Sequence, residues 1–309
     1  MVRHLLVPLD GSQLAAAAIP YALTLAHALD TPVDLLAVVA PFPDLPSVPS
    51  AQAVEGDERR VALGIAYLES VATAIRTPDR TVRTAVRHGN PAGEILSAAE
   101  QGEGALVVMT THGRTGFERL RLGSVAQHVV RHGGTPTLVL RPQRGAATTG
   151  RAAITEVTVM LDGSAQAEGA LPLAAQLAAA LVVPLTLLRI IPSIPVLATA
   201  GGWEVEYAAY YPVTPGMERD EERAIVAYLE ARAAPLRTPG HTVRTCWRRS
   251  PTAYAGACIT TYLAERPTGL AVTASHGRGG ILRWALGSTA EYVLDQAPCP
   301  LIIVRATAS

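Results

Sequence analysis

A chain of 309 residues is long for one ordinary domain and comfortable for two of about 150. Hydrophobic residues make up 49% and charged residues 17%, the balance of a globular protein with ample core. The formal net charge of +0 provides no long-range steering toward nucleic acid or an anionic membrane. The start, MVRHLLVPLDGS, turns polar too soon for a signal peptide. HLLVPL (4–9) reads as a short strand, and SQLAAAAIPYALTLAHAL (12–29) has apolar residues at helical spacing. VDLLAVVA (33–40) is a continuous apolar run of the kind buried on both faces of a parallel sheet. DERRVALGIAYLESVATAI (57–75) is helical, RTVRTAVRHG (80–89) alternates, and GEILSAAEQG (93–102) is a short helix. ALVVMT (105–110) is another buried strand, SVAQHVVRHG (124–133) a helix and TPTLVLR (135–141) a final strand.

The pattern then starts again. LLVPLDGS (5–12) returns as VTVMLDGS (157–164), an offset of 152 at the aspartate. RTPDRTVRT (76–84) returns as RTPGHTVRT (237–245), an offset of 161. From Gly113 and Gly277 to Arg141 and Arg305 the offset is 164. The second half has therefore gained nine residues before its second helix and three before its fourth strand. Insertions confined to connections are the mark of duplicated domains, here 1–144 and 152–309. The stretch between them, RPQRGAATTGRA (141–152), has a linker's composition. The order βαβαβαβαβ in each half forces crossover helices onto both faces of a parallel sheet, so the expected fold is α/β, two tandem doubly wound five-stranded domains of Rossmann type. The most apolar stretch, LPLAAQLAAALVVPLTLLRII (171–191), carries Gln176, Pro184 and Arg189 and reads as a helix followed by a strand, not a membrane span. Cys246, Cys258 and Cys299 show no CxxC spacing and read as buried small hydrophobes in a reducing compartment; the expected location is cytoplasmic.

Ligands of such sheets bind at the carboxyl ends of the strands, where the strand order reverses. Asp10 and Asp162 stand there, at the ends of the first strands. Each reads either as the N-cap of the next helix or as a carboxylate that meets the base or sugar of a nucleotide, and the two roles are compatible. THGRTGFERLRLGS (111–124) and SHGRGGILRWALGS (275–288) follow the fourth strands. Gly123 and Gly287 permit close approach of backbone to a ligand, and the next amides open a helix N-terminus, a ready anion site to which Ser124 and Ser288 add hydroxyls. The competing reading is local, since SVAQ (124–127) and STAE (288–291) have capping-box form. A cap alone does not explain why His-Gly-Arg stands ten residues upstream in both copies. Neither GxxxxGK[ST] nor a GxGxxG after the first strand occurs.

At these residues the chain resembles the universal stress protein family, specifically its tandem-domain members. The family's ATP-binding pattern is G-x2-G-x9-G-[ST]; Gly113 with Gly123-Ser124, and Gly277 with Gly287-Ser288, match it, while Thr110 and Ala274 replace its first glycine. The resemblance also covers VPLDGS, the GNP turn at 89–91, and the closing TPTLVLR and CPLIIVR. It implies ATP as ligand, with Mg²⁺, and the following contacts. Asp10 with Pro8 and Leu9, and Asp162 with Met160 and Leu161, hold adenine and ribose; Val38 and Ile190 flank the base. Met109, Thr110, Thr111, His112 and Gly113, with Thr273, Ala274, Ser275, His276 and Gly277 in the second half, line sugar and α-phosphate. Gly123, Ser124, Val125 and Ala126, with Gly287, Ser288, Thr289 and Ala290, take the distal phosphates. Arg114, Arg119, Arg121, Arg278 and Arg283 stand in the loops where a guanidinium forks onto two oxygens.

The resemblance implies a nucleotide-dependent regulatory protein and a homodimer. Two other classes stay open: a scaffold that has lost its ligand, for which Thr110 and Ala274 argue, and a slow ATP hydrolase, for which His112 and His276 are the acid–base candidates. No downstream partner can be read. The final strands of the two halves are expected to pair antiparallel within the chain, since unpaired apolar edges are a liability. The two sites are expected to be unequal, because Gly89 becomes Ser250 and HGNP becomes RSPT. The insertion GWEVEYAAYY (202–211) concentrates aromatics that read as dimer packing, a cover for the second pocket, or a partner surface.

Overall fold

In the computed structural model, which describes residues 1–41, 50–111, 122–141, 148–192, 215–251, 254–275 and 286–305, the chain divides into two compact units, Met1–Ala153 and Ile154–Ser309. In the first, β1 (His4–Pro8), β2 (Val33–Val39), β3 (Val82–His88), β4 (Ala105–Thr110) and β5 (Thr137–Leu140) lie in the order β3-β2-β1-β4-β5. Every pairing is parallel, for example Leu5 with Val33 on one side of β1 and with Leu106 on the other. This is the α/β architecture that the alternation of elements demands. The order reverses direction between β1 and β4, which makes their carboxyl ends the place for a ligand.

Apolar residues alternate between the faces of this sheet. Leu6, Leu36, Val107 and Met109 form one core cluster with Ala92, Ile95 and Ala99 of α4 (Pro91–Gln101) and Ala126 and Val129 of α5 (Ser124–His132). The intervening residues Leu5, Val7, Leu35 and Leu106, almost inaccessible, face the other side. There α2 (Ile19–Leu29) packs on β1 and β2, and α3 (Ser50–Ile75) on β2 and β3. The helical pattern of 12–29 is not one helix: it breaks into α1 (Gln13–Ala16) and α2 at Ala17 and Ala18. Pro20 is the cause. It has no amide to continue a helix from Ala16, and it sits instead in the first turn of α2, where none is needed.

The second unit repeats this plan with β6 (Glu156–Met160), β7 (Leu185–Pro192), β8 (Val243–Ser250), β9 (Gly269–Ala274) and β10 (Leu301–Val304), parallel in the order β8-β7-β6-β9-β10. Its helices are α6 (Ala165–Glu168), α7 (Leu171–Leu181), α8 (Pro215–Ala233), α9 (Ala255–Ala264) and α10 (Ser288–Gln296). One polar knot is its own. Glu168 accepts from the Tyr228 hydroxyl at 3.0 Å and pairs with Arg232 at 2.9 Å, while Arg189 stacks 4.9 Å from the Tyr228 ring. Burial, and then Glu168, push the Tyr228 hydroxyl up to about 12. The first unit has Ala16 and Ala37 where Glu168 and Arg189 stand.

Of the cysteines only Cys299 is buried, and burial pushes its thiol up to about 12; Cys246 and Cys258 are half-buried, so the reading of all three as core residues is corrected for those two. Cys246 lies in β8, the strand at the outer end of the second unit's order, and Cys258 in α9. Among the described residues no helix is long and apolar enough to cross a membrane. The segment 171–191 is α7 followed by β7, as its Gln, Pro and Arg predict.

Candidate functional site

The turn after β1 is built from LDGS. Gly11 takes φ +84°, a conformation other residues rarely adopt, and Gly163 repeats it at +88°. Asp10 Oδ1 accepts from the Ser12 amide at 3.0 Å and the Ser12 hydroxyl at 2.6 Å; Ser12 Oγ in turn accepts from the Ala15 amide at 3.1 Å. Asp162, Ser164 and Ala167 repeat the chain of bonds at 2.9, 2.6 and 3.1 Å. The N-cap is therefore Ser12, and Ser164 in the second unit, not the aspartate two residues earlier. Asp10 leaves the strand before the glycine turn, too early to meet the helix amides, and it orients the residue that does. Ser12→Ala should cost about 1 kcal/mol in chemical unfolding; an unchanged midpoint would mean that α1 does not depend on its cap.

A cavity of about 300 Å³ opens where the strand order reverses. Pro8, Leu9 and Asp10 enter it from the end of β1, Val38 from β2, Met109 and Thr110 from β4, and Thr111 from just beyond it. Gly123, Ser124, Val125 and Ala126 close it from the start of α5. The cavity thus unites eleven of the sequence-derived positions of the first half. Leu9 donates its amide to Leu36 O at 2.8 Å, so a ligand contact from Leu9 backbone goes through its carbonyl. Ala15, Leu36, Pro91 and Ile95 also line the cavity and were missed. Two periodicities could have found three of them. Leu36 shares a strand face with Val38, and Pro91 and Ile95 lie four apart on one helix face.

The start of α5 corrects the capping-box reading. Gly123 is the N-cap, at φ −60° and ψ 149°, and Ser124 is already inside the helix, whose first bond runs from Gln127 N–H to Gly123 O at 2.9 Å. Among the described residues no side chain caps it, and Gly287 before Ser288 repeats the arrangement at φ −60° and ψ 144°. The amides of Ser124, Val125 and Ala126 have no earlier turn to bond to, and these three residues line the cavity. An uncapped N-terminus facing a cavity, with the helix dipole behind it, suits an anion. Gly123 N–H donates to Thr111 O at 2.8 Å and Gly287 N–H to Ser275 O at 2.8 Å, which draws together the two ends of each loop. His112, Gly113, Arg114, Arg119 and Arg121, His276, Gly277, Arg278 and Arg283, and the aromatic insertion 202–211 lie outside the described residues.

In the second unit Met160, Leu161, Asp162, Ile190, Thr273, Ala274, Ser288, Thr289 and Ala290 occupy the corresponding ends of β6, β7, β9 and α10. The rim differs. Gly89, at φ +150°, leads through Asn90, whose Oδ1 accepts from Gly93 N–H at 3.1 Å, directly into α4. The three extra residues of the second half lie here: five residues, 250–254, separate the equivalents of His88 and Pro91. Ser250 is fully buried and donates its hydroxyl to Tyr254 O at 3.3 Å, and Tyr254, largely exposed, begins α9 without a side-chain cap. A shallow hollow of about 420 Å³ between α3 and the end of β3 is lined by Asp57, Glu58 and His88 with Val61, Ala62 and Ile65; two carboxylates there oppose an anionic ligand.

A model of the universal stress protein family matches the chain twice, over residues 1–141 and 154–305. A universal stress protein of Mycolicibacterium smegmatis is 26% identical over 308 residues, covering 97% of this chain and 96% of that protein. Another, from Methanocaldococcus jannaschii, is 32% identical over 143 residues, 46% of this chain and 83% of that protein. Among solved structures, a universal stress protein from Archaeoglobus fulgidus shares the fold, with a TM-score of 0.65 over 98% of both chains at 17% identity.

Proposed function

We propose, from the premise that the chain belongs to the universal stress protein family, that it is an ATP-binding regulatory protein whose conformation or partner choice depends on nucleotide. The observation that carries this is the cavity of the first unit. Leu36, Val38, Met109 and Ile95 form an apolar wall suited to a flat base, Asp10 offers a carboxylate to sugar hydroxyls, and the uncapped start of α5 offers amides to phosphates. Among the described residues no group of three His, Cys, Asp or Glu side chains stands ready for a metal, so Mg²⁺ belongs to this reading as a companion of the distal phosphates. The second unit is proposed to bind through the same backbone plan with a different affinity, given its longer rim. The reading is regulatory, with at most slow hydrolysis, and places the protein in the cytoplasm.

A second reading has one observation in its favour. The side chain of Thr110, 6% exposed, takes the place of a motif glycine in the cavity wall, as expected for a scaffold that no longer holds nucleotide. Equilibrium dialysis of the purified full chain against ATP separates the two. Saturable uptake of up to two nucleotides per chain supports the regulatory reading, and no uptake at millimolar ATP leaves the scaffold. Turnover far above slow background hydrolysis would make it an enzyme.

The assembly is proposed on the same premise. β5 ends the strand order of the first unit and β10 that of the second, and we propose that they pair antiparallel within the chain while two chains form a homodimer. Light scattering should give twice the 32.4 kDa chain mass, and a strict monomer at micromolar concentration would reject the dimer. Hydrogen exchange should protect the outer amides of β5 and β10; exchange at the rate of open edges would reject the pairing.

A further inference from the structure

The carboxyl-terminal half of α5 holds a pair of side chains that nucleotide binding does not use. His128 and His132 stand four residues apart, which puts them on one helix face, and both are exposed. Their rings stack, with centroids 4.1 Å apart and planes inclined by 23°. His132 Nδ1–H donates to the His128 carbonyl at 3.0 Å. That bond fixes the proton on Nδ1 and, in the neutral ring, the lone pair on Nε2. A metal-binding imidazole is commonly held in this way, its second nitrogen donating to a backbone carbonyl or carboxylate. The second unit has no such pair, since Tyr292 and Gln296 occupy the equivalent positions of α10.

We propose that His128 and His132 form a surface site for a divalent transition cation of borderline softness, Zn²⁺ or Cu²⁺, with water completing the coordination. Imidazole suits both ions, and two Zn–N bonds of about 2.0–2.1 Å at a tetrahedral angle set the nitrogens roughly 3.4 Å apart. Imidazole lone pairs lie in the ring planes, so the stack is the metal-free arrangement, and rotation about the side-chain bonds must turn the two rings edge-on before their nitrogens meet one ion. His132 lies in the last turn of the helix, where the final carbonyls carry partial negative charge and favour a cation. Arg131, in the same turn, opposes the cation and keeps the affinity modest. The site is separate from the cavity, which meets α5 only at its opposite end.

The test is calorimetric titration of the purified full chain with Cu²⁺ or Zn²⁺, paired with frozen-solution electron paramagnetic resonance of the Cu²⁺ adduct. The parent should bind with micromolar affinity and show hyperfine structure from two imidazole nitrogens. His128→Ala and His132→Ala should each weaken this binding about tenfold or more, as expected when a two-ligand site loses one ligand. Both should lose the two-nitrogen signature. Both side chains are exposed, so the metal-free variants should melt with the parent, which separates loss of the site from loss of the fold. Undiminished Cu²⁺ affinity in either variant, or a two-nitrogen signature that survives, would place the ion elsewhere and overturn the assignment.

Discussion

Gly123→Val should abolish ATP binding by the first unit while leaving that unit folded. Gly123 sits at φ −60° and ψ 149°, extended backbone that a β-branched residue adopts readily, so the substitution brings no backbone strain. Its amide bond to Thr111 O survives, because valine keeps the N–H. What changes is the cavity, where an isopropyl group appears beside the amides of Ser124, Val125 and Ala126. A phosphate held by those amides is displaced, and affinity should fall about 100-fold or more, equivalent to roughly 2.7 kcal/mol. Ser124→Ala should cost only about 1 kcal/mol of binding, one hydrogen bond. It should leave the melting temperature alone, because Ser124 is not the cap. Equilibrium dialysis with ATP reads both, and Gly287→Val applies the same test to the second unit. If Gly123→Val binds ATP like its parent, the start of α5 is not the anion site.

That contrast between Ser124 and Gly123 marks where sequence reasoning reached and where it stopped. Strand and helix order was legible because each buried strand is a continuous apolar run, and because the chain states the pattern twice. The location of the site was legible too, since a parallel sheet with crossover helices fixes where strand order reverses. Caps were harder. A serine followed by Gln or Glu three residues later has capping-box form, yet the first helical residue is decided by the chain's path out of the loop. Here the bond from Gly123 N–H to Thr111 O sets that path, a contact between residues twelve apart. Asp10 and Ser12 teach the same lesson two residues out of phase.

The linker gives another case. RPQRGAATTGRA has no apolar period, and composition says only that it connects. Ala152 nonetheless donates to Pro20 O at 3.2 Å and accepts from the Thr24 hydroxyl at 2.8 Å, so the end of this stretch is fastened to α2. One of these bonds joins two main-chain groups and the other a threonine hydroxyl to a main-chain carbonyl, and composition marks neither. The unequal rims were legible in kind, because Gly89 and Ser250 differ in the sequence itself. The insertion's exact seat, between the end of β8 and the start of α9, emerged only once those elements had bounds.

The most costly change to stability should be Leu106→Ala. Leu106 lies in β4, every residue of which is buried, and its own side chain is wholly inaccessible. β4 pairs with β1 on one side and β5 on the other, so neither strand nor neighbour is free to collapse into the space left behind. Loss of the isobutyl group removes apolar burial and leaves a void, a combination that costs about 3 kcal/mol in rigid cores. The sheet gives this variant a built-in control. Val107 and Met109 belong to the cluster under α4 and α5, on the cavity side, whereas Leu106 points to the opposite face. Urea unfolding should therefore show the loss while ATP affinity, measured well below the transition, stays at the parent value. Leu270, equally inaccessible at the matching place in β9, should behave the same way in the second unit. A loss of stability together with a loss of affinity would mean that the two faces of the sheet are mechanically coupled, and that the cavity depends on packing from both sides.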